Sequence, residues 1–286
     1  MSSFRIQKSE TKLCIHCSAK CPQYTLKCLR CHLWTFGTHY ERIPKSNRLY
    51  NIQNVYVINL KKDGDRMISF FNNIKRQKIS TKNRNWNRFN AVNGMDSKTI
   101  TSEICTFLED NKTKQKAIKY CDKYPGSIGC YFSHMKLWNH IYTNKNTGEY
   151  SLILEDDSFF TPNGMINIEL ALNQAIKLKW DMLYAGHNLL KGSKINSLFL
   201  KPRPPLPGEN NIGFNSGLFG YIIRKSSIPK MLNIVKKIDS PFIDVQIRNS
   251  FGDGDENINA LFTISNLIRH NNSYGSSRKK MDNYIK

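Results

Sequence analysis

Short apolar runs the length of a β-strand alternate along this chain with apolar patterns that have the spacing of an α-helix. The clearest run, residues 54–60, is almost continuously apolar and rich in β-branched side chains, as in parallel strands covered on both faces. Across residues 127–142, apolar side chains recur every three or four positions and predict a long helix. Further strands are predicted at residues 86–91, 149–154, 180–186 and 219–224. The alternation predicts an α/β fold with a mostly parallel sheet.

Two further helices are predicted after residue 160. Thr161 and Pro162 have the residue types of a helix N-cap and first helical position, so a helix is expected from there to Lys179. Another is expected over residues 228–238. Four prolines in residues 201–208 predict an exposed loop between these helices.

The start of the chain has a different composition, because five of the eight cysteines lie within residues 14–31. Two Cys-x-x-Cys pairs separated by ten residues have the spacing of a tetrahedral zinc site, and their members are Cys14, Cys17, Cys28 and Cys31. Other candidate ligands in this segment are Cys21, His16 and His32. The alternative is a flexible arm with unligated cysteines. We therefore predict a zinc ribbon or knuckle with its linker over residues 1–50, a catalytic domain over 51–275 and a basic tail over 276–286.

The net charge and the hydropathy of the chain indicate which kinds of partner it can have. Lys and Arg number 43 and Asp and Glu 22, which gives a net charge of +21 and predicts an anionic substrate or partner. No apolar run reaches the 18 to 20 residues or so of a membrane-spanning helix, and the first residues lack the apolar region of a secretory signal. We expect no membrane span and a cytoplasmic location.

Three acids follow the predicted strand at residues 149–154. Neighbouring carboxylates raise one another's pKa unless a cation or a positive field compensates them, and a divalent metal ion is the simplest compensation. Because side chains alternate along an extended segment, Glu155 and Asp157 are expected to share one cation, whereas Asp156 points elsewhere. The alternatives are a solvated acidic turn and a helix N-cap.

Four blocks of the sequence together resemble the family 25 glycosyltransferases, which include bacterial lipooligosaccharide and collagen hydroxylysine galactosyltransferases. The blocks are residues 55–66, 89–94, 126–138 and 153–157. The resemblance covers roughly residues 54–250. It implies a GT-A fold, a nucleotide-sugar donor such as a UDP-sugar, and Mn²⁺ or a similar ion such as Mg²⁺ at the acidic motif.

The resemblance also implies site residues. Those expected to bind the donor are Asn59, Leu60, Asp65, Arg66, Gly129, Ser133, His134 and Asp156. Glu155 and Asp157 match the metal motif, and His270 could complete the metal site, since a neutral imidazole suits Mn²⁺. For His134 the alternative is a packed, hydrogen-bonded residue on the flank of its helix.

The family implies inversion at the anomeric carbon, with a carboxylate that takes the proton of the acceptor hydroxyl. Asp244 is the first candidate base, and the alternative is an N-cap of the following helix. Asp253 and Asp255 are secondary candidates, for which the alternative is a solvated loop. The predicted function is transfer of galactose or glucose from a UDP-sugar to a hydroxyl of a glycan or of protein hydroxylysine. The rival is a basic, zinc-containing nucleic-acid-binding protein with a relict transferase domain, whose N-terminal module contacts nucleic acid or protein.

Overall fold

The computed structural model describes residues 11–13, 20–22, 52–81, 84–209 and 214–271. The cysteine pairs predicted to bind zinc lie outside the described residues, as does the predicted basic tail. The described strands are β1 (Thr11–Leu13), β2 (Lys20–Pro22), β3 (Asn54–Asn59), β4 (Asn85–Asn90), β5 (Tyr150–Glu155), β6 (Ser158–Phe160), β7 (Met182–Tyr184), β8 (Gly192–Lys194), β9 (Phe199–Pro202), β10 (Gly220–Arg224), β11 (Ala260–Thr263) and β12 (Ile268–His270). The described α-helices are α1 (Gly64–Arg76), α2 (Ser97–Phe107), α3 (Asn111–Lys123), α4 (Pro125–Thr143), α5 (Gly164–Ala175), α6 (Ile228–Val235) and α7 (Ile243–Asn249).

Eight of the described strands form one mixed sheet in the order β4-β3-β5-β10-β7-β11-β9-β8. Strand β3 runs parallel to β4 and β5, and β7 runs parallel to β11. Strand β10 is antiparallel to both β5 and β7, and β9 is antiparallel to β11 and β8. Six of these eight strands therefore point in one direction, which confirms an α/β fold with a mostly parallel sheet. Two small pairs, β1-β2 and β6-β12, lie outside this sheet.

Helices cover both faces of the sheet. Side chains of β3 alternate between two apolar clusters, with Tyr56 and Ile58 in one and Val55 and Val57 in the other. The first cluster also contains residues of α2, α3, α4, α6 and α7, and the second contains residues of α1 and α5. Burial on both faces explains why β3 is apolar at every position from Val55 to Ile58 instead of alternating.

Helix α4 is held against the segment after β4 by two glycines. A Cβ on Gly129 would lie 2.7 Å from the Val92 oxygen and the Gly94 nitrogen, and a Cβ on Gly94 would lie 1.7 Å from the Pro125 oxygen. The Ser133 hydroxyl accepts a hydrogen bond from the Val92 amide at 2.8 Å and donates to the Gly129 carbonyl at 2.6 Å. This close contact fixes the position of the helix relative to the sheet.

Most predicted elements are confirmed within a residue or two, but one helix starts later than predicted. Thr161 does not cap α5, because its hydroxyl donates to the Leu267 carbonyl, and the helix begins after Asn163, which has a φ of +57°. Helices α2 and α3 were not predicted. None of the helices in the described ranges has the length and hydropathy that crossing a bilayer requires.

Candidate active site

Polar side chains meet where β3 and β5 end side by side. The register pairs Ile58 with Glu155, so both strands stop at the same edge of the sheet. The Asn59 side-chain amide donates to Asp156 Oδ2 at 2.6 Å and to the Asp63 carbonyl at 3.0 Å. Ligands of α/β sheets bind at the carboxyl ends of strands, which makes this edge the candidate active site.

Arg66 supplies the positive charge that the acidic run requires. It lies in the first turn of α1, and its Nη2 is 2.9 Å from Asp156 Oδ1 and 2.5 Å from Asp157 Oδ2. The three side chains are each about nine-tenths buried, with exposed fractions of 7% to 10%. The sequence leaves two ways to compensate the acidic run, a cation or a positive field. Arg66 supplies the positive field from within the protein.

The electrostatic environment of Asp156 is mixed. The pKa of Asp156 is raised from its usual value to about 7, mainly by burial. Arg66 and the Asn59 amide lower this pKa, and the carboxylates of Asp157 and Glu155 contribute to raising it. Burial thus disfavours the charged form of Asp156 in the acidic turn, which we define as residues 155–157, although Arg66 is close by.

Glu155 and Asp157 do not point the same way, contrary to the prediction. Strand β5 ends at Glu155, and Asp156 and Asp157 form a turn that leads into β6. Side-chain alternation holds only while the backbone is extended. Glu155 faces α4, with its Oε1 3.4 Å from His134 Nε2, whereas Asp157 faces α1 and Arg66. The structure thus separates two of the three predicted metal ligands.

His134 is held by a buried hydrogen-bond network. Its Nδ1 lies 2.8 Å from the Tyr221 hydroxyl, which accepts a hydrogen bond from Trp138 Nε1 at 2.8 Å. All three side chains are fully buried. The packed, hydrogen-bonded interpretation of His134 and its position beside the acidic turn therefore both hold. Tyr221 and Trp138 could not be recognised as partners of His134 from the sequence, because buried aromatic residues also occur as simple core residues.

His270 reaches the acidic turn through the pairing of β12 with β6. His270 pairs with Ser158, and the Asn271 amide donates to the Asp157 carbonyl at 2.7 Å. The His270 Nε2 lies 3.0 Å from Asp157 Oδ2. Two of the three predicted metal-binding residues, Asp157 and His270, are thus in direct contact.

Of the other predicted donor-binding residues, two lie between the end of β3 and the first turn of α1, and two lie on α4. Leu60 is half-buried, and its carbonyl accepts the Asp63 amide at 2.9 Å in the loop between β3 and α1. Asp65 is exposed in the first turn of α1. Gly129 and Ser133 make the contacts that attach α4 to the segment after β4, so the structure brings them into helix packing and not beside the carboxylates.

Asp244 lies in the first turn of α7 and is half-buried. The N-cap of this helix is Phe242, so the alternative interpretation of Asp244 as an N-cap is not supported. Burial, with a smaller contribution from the Asp244 charge, raises the pKa of Tyr184 well above its usual value. Tyr184 ends β7 and pairs with Tyr221, which places Asp244 on the α4 side of the sheet.

Comparison with known proteins assigns the family. Residues 52–247 match the family described as "Glycosyltransferase family 25 (LPS biosynthesis protein)", which is more than half of the chain. The chain belongs to glycosyltransferase family 25. It is a distant relative of the procollagen galactosyltransferases.

The curated relatives are much longer than the matched region. Human procollagen galactosyltransferase 2 is 21% identical over 196 residues, which cover 66% of this chain and 29% of that protein. A bovine protein named "Probable inactive glycosyltransferase 25 family member 3" is 24% identical over 158 residues, 54% of this chain and 25% of its own. Family membership alone therefore does not establish catalysis.

A solved glycosyltransferase involved in glycosylation of the major capsid of PBCV-1 gives a TM-score of 0.40 at 9% identity, over 82% of this chain and 98% of that one. This score is too low to assign the fold, so the description of the sheet rests on its strands and their pairing.

Proposed function

We propose that this chain is a metal-dependent, inverting glycosyltransferase of the GT-A type that transfers galactose or glucose from a UDP-sugar. The acceptor would be a hydroxyl group of a glycan or of protein hydroxylysine. One observation carries the proposal: Asn59, Arg66, Asp156 and Asp157 form one buried polar array at the carboxyl edge of the sheet. Family membership and the named galactosyltransferase relatives support it.

The acidic turn fits a hard divalent cation such as Mn²⁺ or Mg²⁺. Within the described ranges, Asp157 Oδ1 and Asn59 Oδ1 are buried oxygens without a hydrogen-bond partner. A cavity of about 170 Å³ is lined by both Asp156 and Asp157. Carboxylate and amide oxygens with one imidazole form a donor set that suits these ions. We propose Asp157 and His270 as the metal-binding residues and leave Glu155 to its contact with His134.

A cation bound there would neutralise negative charge on the leaving diphosphate. Arg66 contributes a fixed positive charge at the same edge and holds both aspartates in place. Lys61 and Lys62 are exposed in the loop that follows β3, where they add to the attraction for a diphosphate.

Asp244 is proposed as the general base. Its carboxylate would accept the proton of the acceptor hydroxyl while the hydroxyl oxygen forms a bond to the anomeric carbon and the bond from that carbon to the diphosphate breaks. Its half-buried position leaves it accessible to an acceptor, and its Oδ1 accepts a hydrogen bond from the Val245 amide at 3.0 Å, which orients the carboxylate.

The proposal is tested by release of free UDP from a panel of UDP-sugars, with Mn²⁺ or with EDTA. We expect turnover of one sugar that disappears with EDTA and in Asp157→Ala. Glu256→Ala, which removes an exposed carboxylate in the loop before β11, is the matched control and is expected to retain turnover.

If no sugar is turned over and UDP does not bind with Mn²⁺, the transferase proposal is wrong. The rival nucleic-acid-binding function would instead give an affinity for nucleic acid that falls steeply with salt concentration.

A further inference from the structure

Three metal-ligating side chains converge on the α4 side of the acidic turn. They are Cys130, His134 and Glu155, and their ligating atoms all lie within 4.8 Å of one another. Cys130 and His134 are four residues apart on α4 and therefore share one face of the helix. Glu155 is the last residue of β5. Two rigid elements thus supply the three groups.

The separations suit a zinc ion. Zinc lies about 2.0 to 2.3 Å from nitrogen, oxygen and sulfur ligands, so two light ligands of a tetrahedral ion are roughly 3.4 Å apart. The observed distance between His134 Nε2 and Glu155 Oε1 is 3.4 Å. These two atoms are therefore already at the separation of two zinc ligands, and the Cys130 sulfur lies within 4.8 Å of both.

The His134 ring is already oriented as a metal ligand requires. With Nε2 on the metal, the proton must be on Nδ1, where it would be donated to the Tyr221 oxygen at 2.8 Å. That oxygen also accepts from Trp138, so without a metal ion the Tyr221 hydroxyl donates to Nδ1 and the ring proton on Nε2 faces Glu155. Metal binding would therefore move the ring proton to Nδ1 and turn the Tyr221 O–H away from the ring. Metal-binding histidines almost always have such a partner on the second ring nitrogen.

We propose that Cys130, His134 and Glu155 bind Zn²⁺, at a site separate from the oxygen-rich site of Asp157 and His270. A thiolate with one imidazole and one carboxylate selects zinc over Mn²⁺ and Mg²⁺, which prefer oxygen ligands. Three protein ligands leave a fourth position open, as in catalytic zinc sites. The Glu155 side chain is 28% exposed and Cys130 is half-buried, so solvent reaches two of the three ligands. The proposal does not depend on the transferase activity.

The test uses Co²⁺ as a probe, because a cobalt–thiolate bond gives a near-ultraviolet charge-transfer band and a tetrahedral site gives intense visible bands. The measurement uses a variant of the 286-residue chain in which all five N-terminal cysteines are replaced by serine, so that their predicted zinc site cannot contribute. The replaced residues are Cys14, Cys17, Cys21, Cys28 and Cys31. The remaining thiols are Cys105, Cys121 and Cys130. We expect a single equivalent of Co²⁺ to bind with a thiolate band and to be displaced by Zn²⁺.

Variants identify the ligands. Cys130→Ser is expected to abolish the thiolate band, whereas Cys121→Ser, the matched control at a half-buried thiol, keeps it. Tyr221→Phe leaves all three ligands but removes the partner of His134, and we expect zinc affinity to fall about 10- to 100-fold. Circular dichroism verifies that each variant is folded.

Absence of the band in the cysteine-substituted background, or its persistence in Cys130→Ser, would overturn the zinc proposal. Neither result affects the transferase proposal, which is judged on Mn²⁺-dependent UDP release by the intact chain. Conversely, lack of UDP release leaves the cobalt measurement valid.

Discussion

The two sides of the acidic turn differ in chemistry although their residues are adjacent in sequence. On the α1 side, Asp156 and Asp157 contact a guanidinium and a side-chain amide. On the α4 side, Glu155 meets an imidazole, with a thiol close by. The difference arises because β5 ends at Glu155 and a turn begins at the next residue. One short motif can therefore serve two faces of a sheet, and each face can be perturbed separately.

Arg66→Ala should cause the largest loss of stability among these substitutions. It should disturb the α1 side of the acidic turn and not the α4 side. It leaves two buried carboxylates without their counter-charge, and removal of one partner of a buried ion pair costs about 3 to 5 kcal/mol. The free energy of unfolding in urea measures this loss. Arg84→Ala breaks a comparable pair with Glu169 at the opposite end of β4 and is the control. It should destabilise the protein without weakening UDP binding, and a similar loss of binding would contradict the placement of the site.

Tyr221→Phe tests the α4 side. It leaves the Trp138 Nε1 donor and His134 Nδ1 without their partner, and each unpaired buried polar group costs about 1 to 3 kcal/mol. Tyr131→Phe removes another fully buried hydroxyl, which donates to the Val235 carbonyl, and leaves only one group unpaired. Urea unfolding should show the larger loss for Tyr221→Phe. Equal losses would mean that the His134 contact contributes nothing to stability.

Gly129→Ala displaces the helix that carries Cys130 and His134 without touching Arg66. The new Cβ would lie 2.7 Å from two backbone atoms, and such overpacking costs about 1 to 3 kcal/mol. Gly148→Ala, where a Cβ would meet open space, should change stability by less than about 0.5 kcal/mol. Cobalt binding should weaken in Gly129→Ala more than Mn²⁺-dependent UDP binding does. The reverse order would contradict the assignment of the two sides.

Substitution of His187 should have the smallest effect on stability. It serves as a reference for the pH dependence measured on either side of the acidic turn. Burial lowers the pKa of His187, against the effect of the Asn188 and Thr263 carbonyls that its ring nitrogens contact. Because the folded protein binds this proton less readily than the unfolded chain, stability should fall as the pH decreases below about 6.5. His187→Gln should flatten that slope in urea unfolding at pH 7 and pH 5.5. An unchanged slope would assign the pH dependence to other groups.

The sequence predicted the parts of the fold in which periodicity is strong. Strand β3 and helix α4 were found because long runs of buried side chains specify them. Helix α3 was missed because Ala117 is its only buried residue, so its apolar pattern is weak. The reversed direction of β10 was not predictable, because strand direction depends on pairing with β5 and β7 and not on the β10 sequence.

The identities of the site residues were more predictable than the directions in which their side chains point. Asn59, Arg66 and the three acids were identified from the sequence, and the structure brings all of them except Glu155 into direct contact. The direction of Glu155 was not predictable, because the alternation rule fails where a strand passes into a turn. The i,i+4 spacing of Cys130 and His134 was visible in the sequence, but only the register of β5 against its neighbours places Glu155 beside them.

The pairing of β6 with β12 has a consequence for how the protein is made. The acidic turn and Arg66 are synthesised early, whereas the residues that bring His270 and the Asn271 amide to Asp157 are among the last described in the chain. Arg66 precedes both aspartates in the sequence, so their counter-charge comes from a part of the chain that is synthesised before β12. The ion pairs of the acidic turn therefore do not depend on the strand that brings His270 to it.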